Sequence, residues 1–196
     1  AAVQNTALPA RAPLPPVSEC ITRALAGVTG GLLPTAAALL AGDAPPTDTL
    51  ARMAAPALAR LYAATSAGKA ADCVAAARAL LGLGPGLTPA GDDCLVGWLA
   101  GAWTAGDDAR RLGEATGPGL LAAATDLTGR LSTAFLTAAL NGEAAEPLHG
   151  FALAPNERSL AGLLALGATS GADLLAGYLL ARAALASSTE ERWPWR

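Results

Sequence analysis

The chain is 196 residues long, 53% hydrophobic, and carries a net charge of −3. Ala (51 residues) and Leu (34) supply most of the apolar content, whereas Val and Ile together supply six. That balance excludes sheets built on β-branched and aromatic strands and excludes disorder, and the net negative charge, with arginines spread along the chain, leaves no basic footprint for nucleic acid.

Ala and Leu head the helix-propensity ranking, so the composition predicts an all-α, single-domain helical bundle. Residues 1–16, with Pro9, Pro13, Pro15 and Pro16, read as an extended Pro-rich arm. The helical domain is expected over residues 17–189, with a Trp-containing tail at 190–196. Gly and Pro punctuate the helices. Val17–Ala26 stops at Gly27, and Leu32–Ala41 stops at Gly42. Thr47 is placed to cap a helix to about Ala64, kinked by Pro56. Lys69–Leu81 stops at Gly82, and a glycine-rich loop leads into a helix from Gly91 to Ala105. Asp107–Ala115 reads as short. Pro118 then suits the first position of a helix reaching Leu140, with Asn141-Gly142 as its stop. Glu143–Ala154 is weaker and broken by Pro147, Asn156 caps Glu157–Leu166, and the last helix spans Gly171–Ser187.

The longest apolar stretch, Leu160–Ala186, contains Asp173 near its centre. An aspartate at mid-bilayer costs about 2.5–3.5 kcal/mol, so no membrane span is expected. Residues 1–16 lack the apolar run of a signal peptide. Cys20, Cys73 and Cys94 have no CxxC spacing and read as reduced thiols, which together predicts a cytoplasmic protein.

An internal echo recurs at an offset of 80 residues: Gly91-Asp92-Asp93-Cys94-Leu95-Val96-Gly97-Trp98-Leu99 aligns with Gly171-Ala172-Asp173-Leu174-Leu175-Ala176-Gly177-Tyr178-Leu179. Both copies read G-x-D-x-L-x-G-[WY]-L and follow a glycine-containing loop. An acid in the first turn of a helix opposes the positive end of its dipole. Small residues four apart (Gly97 and Gly101; Gly177 and Ala181) would let two such helices approach closely. A pseudo-twofold relation between them would bring both loops and three carboxylates to one end of the bundle.

The sharpest local motif is Leu81-Gly82-Leu83-Gly84-Pro85-Gly86-Leu87-Thr88-Pro89-Ala90-Gly91-Asp92-Asp93. It follows a helical pattern, not a strand, and no Gly-Lys-[Ser/Thr] follows, so it is neither a dinucleotide fingerprint nor a P-loop. Glycine N–H groups at a helix N-terminus suit a phosphate or carboxylate. Gly84, Gly86 and Gly91 are candidate N–H donors, Thr88 a hydroxyl donor, and Asp92 and Asp93 candidate ligands for Mg²⁺ or a substrate amide. The residues fit a tight helix–loop–helix turn with an acidic cap equally well. Thr169, Ser170, Gly171 and Asp173 carry the same dual reading. Thr128, Ser132 and Thr133 read as mid-helix hydroxyls bonding back to the i−4 carbonyl. His149, the single histidine, reads first as a surface or capping residue. Trp193 and Trp195 read as packing anchors.

These motifs, GPGLTPxGDD at 84–93, Leu127-Thr128 with Leu131-Ser132, and LALGATSGAD at 164–173, resemble the bacterial family that includes the smallest subunit of oxamate carbamoyltransferase. The resemblance covers roughly residues 70–187. It implies a subunit of a hetero-oligomeric enzyme of allantoin (purine) catabolism, interconverting oxamate plus carbamoyl phosphate with oxalurate plus phosphate. It implies partner subunits and a small anionic ligand at the glycine loops, with Asp92, Asp93 and Asp173 as catalytic candidates; a homo-oligomer is the alternative assembly. Family members often place His where this chain has Ala168, which leaves acid–base work there to Asp173 or a partner. Gly129 stands where a second Thr is common. The competing readings are a non-catalytic helical scaffold and an anion-sensing regulatory subunit.

Overall fold

The computed structural model describes residues 6–12, 22, 25, 27, 28 and 30–186. Among them the chain forms α1 (Leu33–Ala41), α2 (Thr49–Ser66), α3 (Ala70–Arg78), α4 (Ala90–Trp103), α5 (Asp107–Leu127), α6 (Arg130–Leu140), α7 (Glu146–Leu153), α8 (Glu157–Leu164) and α9 (Ser170–Leu185). The fold is all-α, as the Ala/Leu balance predicts. The described part of the chain has two isolated β-bridges in place of a sheet. No helix among the described residues is long and apolar enough to cross a membrane. The helix expected at 17–26, apart from Thr22 and Leu25, and the tail at 190–196 lie outside the described residues.

Local chemistry sets most boundaries. Gly42 closes α1 with φ +77, a conformation open to glycine. Asp48 caps α2, its carboxylate accepting the Ala51 N–H at 2.9 Å, so the cap sits one residue beyond the expected Thr47. Asn156 caps α8 in a reciprocal box with Ser159, as expected. The expected start at Glu143 moves to Glu146, with Pro147 in the first turn, where its missing N–H does no harm.

The largest departure is at Pro118. The expected break there is absent, and α5 runs through it for 21 residues. Neighbouring helices hold the segment from both sides: Gly117 faces the Leu140 side chain and Gly119 faces Val74. Buried Leu112, Thr116, Leu120 and Ala124 offset the roughly 3 kcal/mol that an interior proline costs. The true break comes at Thr128, which is extended (φ −141, ψ 179), followed by Gly129.

Two helices form the centre. In α4 every residue from Ala90 to Ala102 is buried, and in α9 every residue from Gly171 to Arg182. Helices apolar on all sides belong inside a bundle. They lie against each other along their lengths. Gly97 packs on the Leu174 carbonyl and Gly101 on the Tyr178 carbonyl, so equal steps along each helix keep them in register and they run parallel. A Cβ at Gly97 would sit inside the van der Waals shell of the Leu174 oxygen, and one at Gly177 inside that of the Cys94 oxygen. Residues 94 and 174 are separated by the same 80 positions as Gly97 and Gly177.

The described part of the arm, residues 6–12, lies along the bundle. Leu8 and Ala12 are buried. The Leu8 N–H donates to Gly142 O (2.7 Å), Ala144 N–H to Thr6 O (3.0 Å) and Ala12 N–H to Thr104 O (2.9 Å). Buried Arg182 donates to Ala12 O and Thr104 O, tying α9 to the arm.

Candidate functional site

Because α4 and α9 run parallel, their N-termini open on the same end of the bundle. Each terminus carries roughly half a positive charge from the aligned peptide dipoles. The glycine loop 82–89 precedes α4, and the turn around Gly167 precedes α9. The two meet through side chains: Thr88 Oγ lies 3.4 Å from Ser170 Oγ. Asp92, Asp93 and Asp173 stand in the first turns of the two helices, all buried.

Each acid has a different environment. Asp92 is fully engaged: one oxygen accepts the Gly82 N–H at 2.8 Å and the other accepts the Thr128 hydroxyl. This explains why the chain breaks at Thr128 and not at Pro118. The Thr128 hydroxyl thus bonds 36 residues away rather than back along its own helix. Asp173 is sealed off from solvent. Its Oδ1 accepts the Leu32 N–H, and its Oδ2 has no hydrogen-bond partner. Burial raises its pKa from the ordinary 3.8 to about 6. The Leu32 N–H and the Thr169 hydroxyl pull it down, and the Asp93 charge pushes it up. Asp93 is also raised by burial, against the Ser170 and Thr88 hydroxyls beside it, with the Asp92 charge adding to the rise. Its Oδ2 is buried and has no partner in the protein.

Asp93, Thr88, Gly167 and Ser170 line a cavity of about 410 Å³. Val96, Phe135, Leu148, Leu166 and Leu174 give it apolar walls, and Thr6, Glu143 and Ala144 also line it. The volume falls within the roughly 300–1,000 Å³ of small-molecule sites.

The structure sorts the residues that the sequence singles out. Asp93, Thr88 and Ser170 come together on the cavity wall. Gly91 and Gly171 serve packing: their Cα positions press on the Leu80 and Leu163 carbonyls, and their N–H groups donate to Leu83 O and Leu166 O at 2.9 Å. Gly84 (φ +114) and Gly86 (φ +103) shape the loop's outer turn and do not line the cavity. Thr169 precedes α9 beside Asp173. Ser132 is buried with an unpartnered hydroxyl, while Thr133 bonds back to Gly129 O as expected. His149 lies outside the cavity lining and meets Ala7 O at 3.0 Å, fastening the arm. For Mg²⁺, both Asp92 oxygens are taken by protein donors. Among the described residues no group of three or more His, Cys, Asp or Glu is placed to hold a metal ion.

Sequence reasoning misread Thr128, whose hydroxyl meets Asp92, and missed Leu32 and Phe135. One signal was available: the Gly30-Gly31 doublet before Leu32. Gly31 has φ +71, and a Cβ there would strike the Asp173 carboxylate, so only glycine brings the Leu32 N–H to that acid.

No solved structure matches the chain. The profile of the oxamate carbamoyltransferase subunit AllH family matches residues 80–182, a span that starts just before the glycine loop, takes in both acidic helix starts and ends in α9. That match covers more than half of the chain, which therefore belongs to the oxamate carbamoyltransferase subunit AllH family.

Proposed function

We propose that this chain is the subunit of a carbamoyltransferase that holds a small anionic substrate at the joined N-termini of α4 and α9. The reaction is the interconversion of oxamate and carbamoyl phosphate with oxalurate and phosphate. One observation carries the reading: Asp93, Thr88 and Ser170 line one cavity at the joined N-termini of two helices, so a carboxyl and two hydroxyls face a space the size of a small molecule. The buried Asp93 Oδ2 has no partner in the protein, and buried polar atoms are nearly always satisfied, which supports a polar ligand beside this carboxyl.

Oxamate offers both halves of the match. Its carboxylate suits the positive helix ends and the Thr88 and Ser170 hydroxyls, and its amide NH₂ suits the Asp93 acceptor. In the forward direction the oxamate nitrogen forms a C–N bond to the carbamoyl carbon. The carbamoyl C–O bond to phosphate breaks, and the amide proton leaves with phosphate as HPO₄²⁻. Such a transfer needs positioning and stabilisation of the carbonyl oxyanion, with no protein nucleophile. Asp92 takes a positioning role, holding the loop to α4 through Gly82 and Thr128. The two helix starts are read as a local twofold, in keeping with the reciprocal contacts of Gly97 and Gly177.

The test is isothermal titration of the chain, alone and with the enzyme's other subunits, against oxamate, carbamoyl phosphate, phosphate and oxalurate, with and without Mg²⁺. Binding that is lost in Asp93→Asn while helicity is retained supports the site. Silence in every arm, or equal binding by the variant, overturns it. Full turnover by an Asp93→Asn assembly that no longer binds at this site would favour a sensing subunit.

A further inference from the structure

We infer that the mouth of this cavity is the surface on which the chain meets a partner subunit of the carbamoyltransferase, and that the partner supplies the cations its ligand needs. This rests on the ligand site above and adds what completes it.

Charge gives the first argument. Among the described residues the cavity wall carries two carboxyl side chains, Asp93 and Glu143, and no Lys, Arg or His. Oxamate is a carboxylate, and carbamoyl phosphate carries about two negative charges near neutral pH. Two helix ends supply roughly half a positive charge each, which the acids of those first turns already oppose. Among the described residues an anion seated there meets no cationic side chain. Arginine is the side chain that meets carboxylates and phosphates with paired donors, and no described arginine lines this cavity.

Exposed apolar surface gives the second. Leu87, Leu127, Leu131 and Phe135 are exposed by 40–85%, and exposed apolar side chains grouped in one area mark interaction surfaces. Leu87, the most exposed, is next to Thr88 at the tip of the glycine loop. Leu131 and Phe135 are four apart on α6 and so share a face. Phe135 lines the cavity together with Thr88. Leu127 ends α5, where its carbonyl meets Gly82 at the base of the loop. Among the described residues the other exposed large apolar side chains, Met53 and Leu153, sit on α2 and α7. Apolar anchors around a charged, desolvated centre are the anatomy of a subunit interface. The occupant fits the family, whose name is that of a subunit.

The experiment uses the full chain with the other subunits of the oxamate carbamoyltransferase and reads two quantities. Leu87→Asp combined with Leu131→Asp is expected to weaken subunit association by about 100-fold, with circular dichroism and Tm unchanged because both side chains are exposed. Met53→Asp, remote from the rim, associates as wild type. The assembly binds oxamate and carbamoyl phosphate at least about tenfold tighter than the isolated chain. Normal assembly of the double variant overturns the surface, and equal ligand affinity of isolated chain and assembly overturns the partner's cations. Asp93→Asn keeps the failures apart. If it assembles and still binds ligand while the double variant falls apart, the interface stands and the ligand reading alone falls.

Discussion

Asp173 makes the fold's stability depend on pH in a direction opposite to that of a salt-bridged acid. Its native pKa is about 6 and its ordinary value 3.8. Between those values the native state holds a proton that the unfolded chain has released. Stability from this group is therefore complete below about pH 4 and is lost as pH rises through 6. A rise of that size corresponds to about 3 kcal/mol. Asp173→Asn freezes the neutral form and keeps an oxygen to accept the Leu32 N–H. Urea unfolding at pH 4, 5, 6, 7 and 8 gives both stability curves. The expected result is a difference between variant and wild type that moves by about 3 kcal/mol in favour of Asn from pH 4 to pH 7 and is flat above. Whatever constant cost the new amide brings cancels in that difference. Curves that run parallel across the range would refute the reasoning, because the buried carboxyl would then titrate as it does in the unfolded chain.

Two other perturbations follow from the packing. Gly97→Ala places a methyl group against the Leu174 backbone oxygen, which no rotamer change can relieve, and is expected to lower stability by about 3 kcal/mol in thermal or urea unfolding; Gly162→Ala, which meets nothing within 4 Å, is the control expected to be neutral or mildly stabilising. Thr128→Val removes the hydroxyl donor to Asp92 at nearly constant volume and is expected to cost about 2 kcal/mol by urea unfolding. Thr125→Val, whose hydroxyl bonds only to Leu121 O on an exposed face, should change stability by less than about 0.5 kcal/mol.

The helical class was legible in two letters, Ala and Leu, because propensity summed over a long chain outweighs local exceptions. Caps that act within four residues, Asn156 and Gly42, were legible for the same reason: cause and effect are neighbours. Pro118 was misread because its cost is local while its compensation comes from α3 and α6. Thr128 was misread because its partner lies 36 residues earlier. In the site, the glycines were legible as special, but not why. Gly91 and Gly171 meet carbonyl oxygens of preceding segments, a contact that leaves no mark in the sequence beyond the glycine itself. The acids were legible as a group, and only the fold distinguishes Asp92, tied at both oxygens, from Asp93, which faces the cavity.

The reciprocal contacts of Gly97 and Gly177 have a consequence for how such a site diversifies. Two identical chains meeting through this contact would carry two identical pockets, and any substitution would strike both. Here the two helix starts are written separately along one chain. Asp93 looks into the cavity, while the segment at Gly31 and Leu32 stoppers its counterpart, Asp173. One helix start keeps its acid on a cavity wall, and the other has its acid closed over by a neighbouring segment.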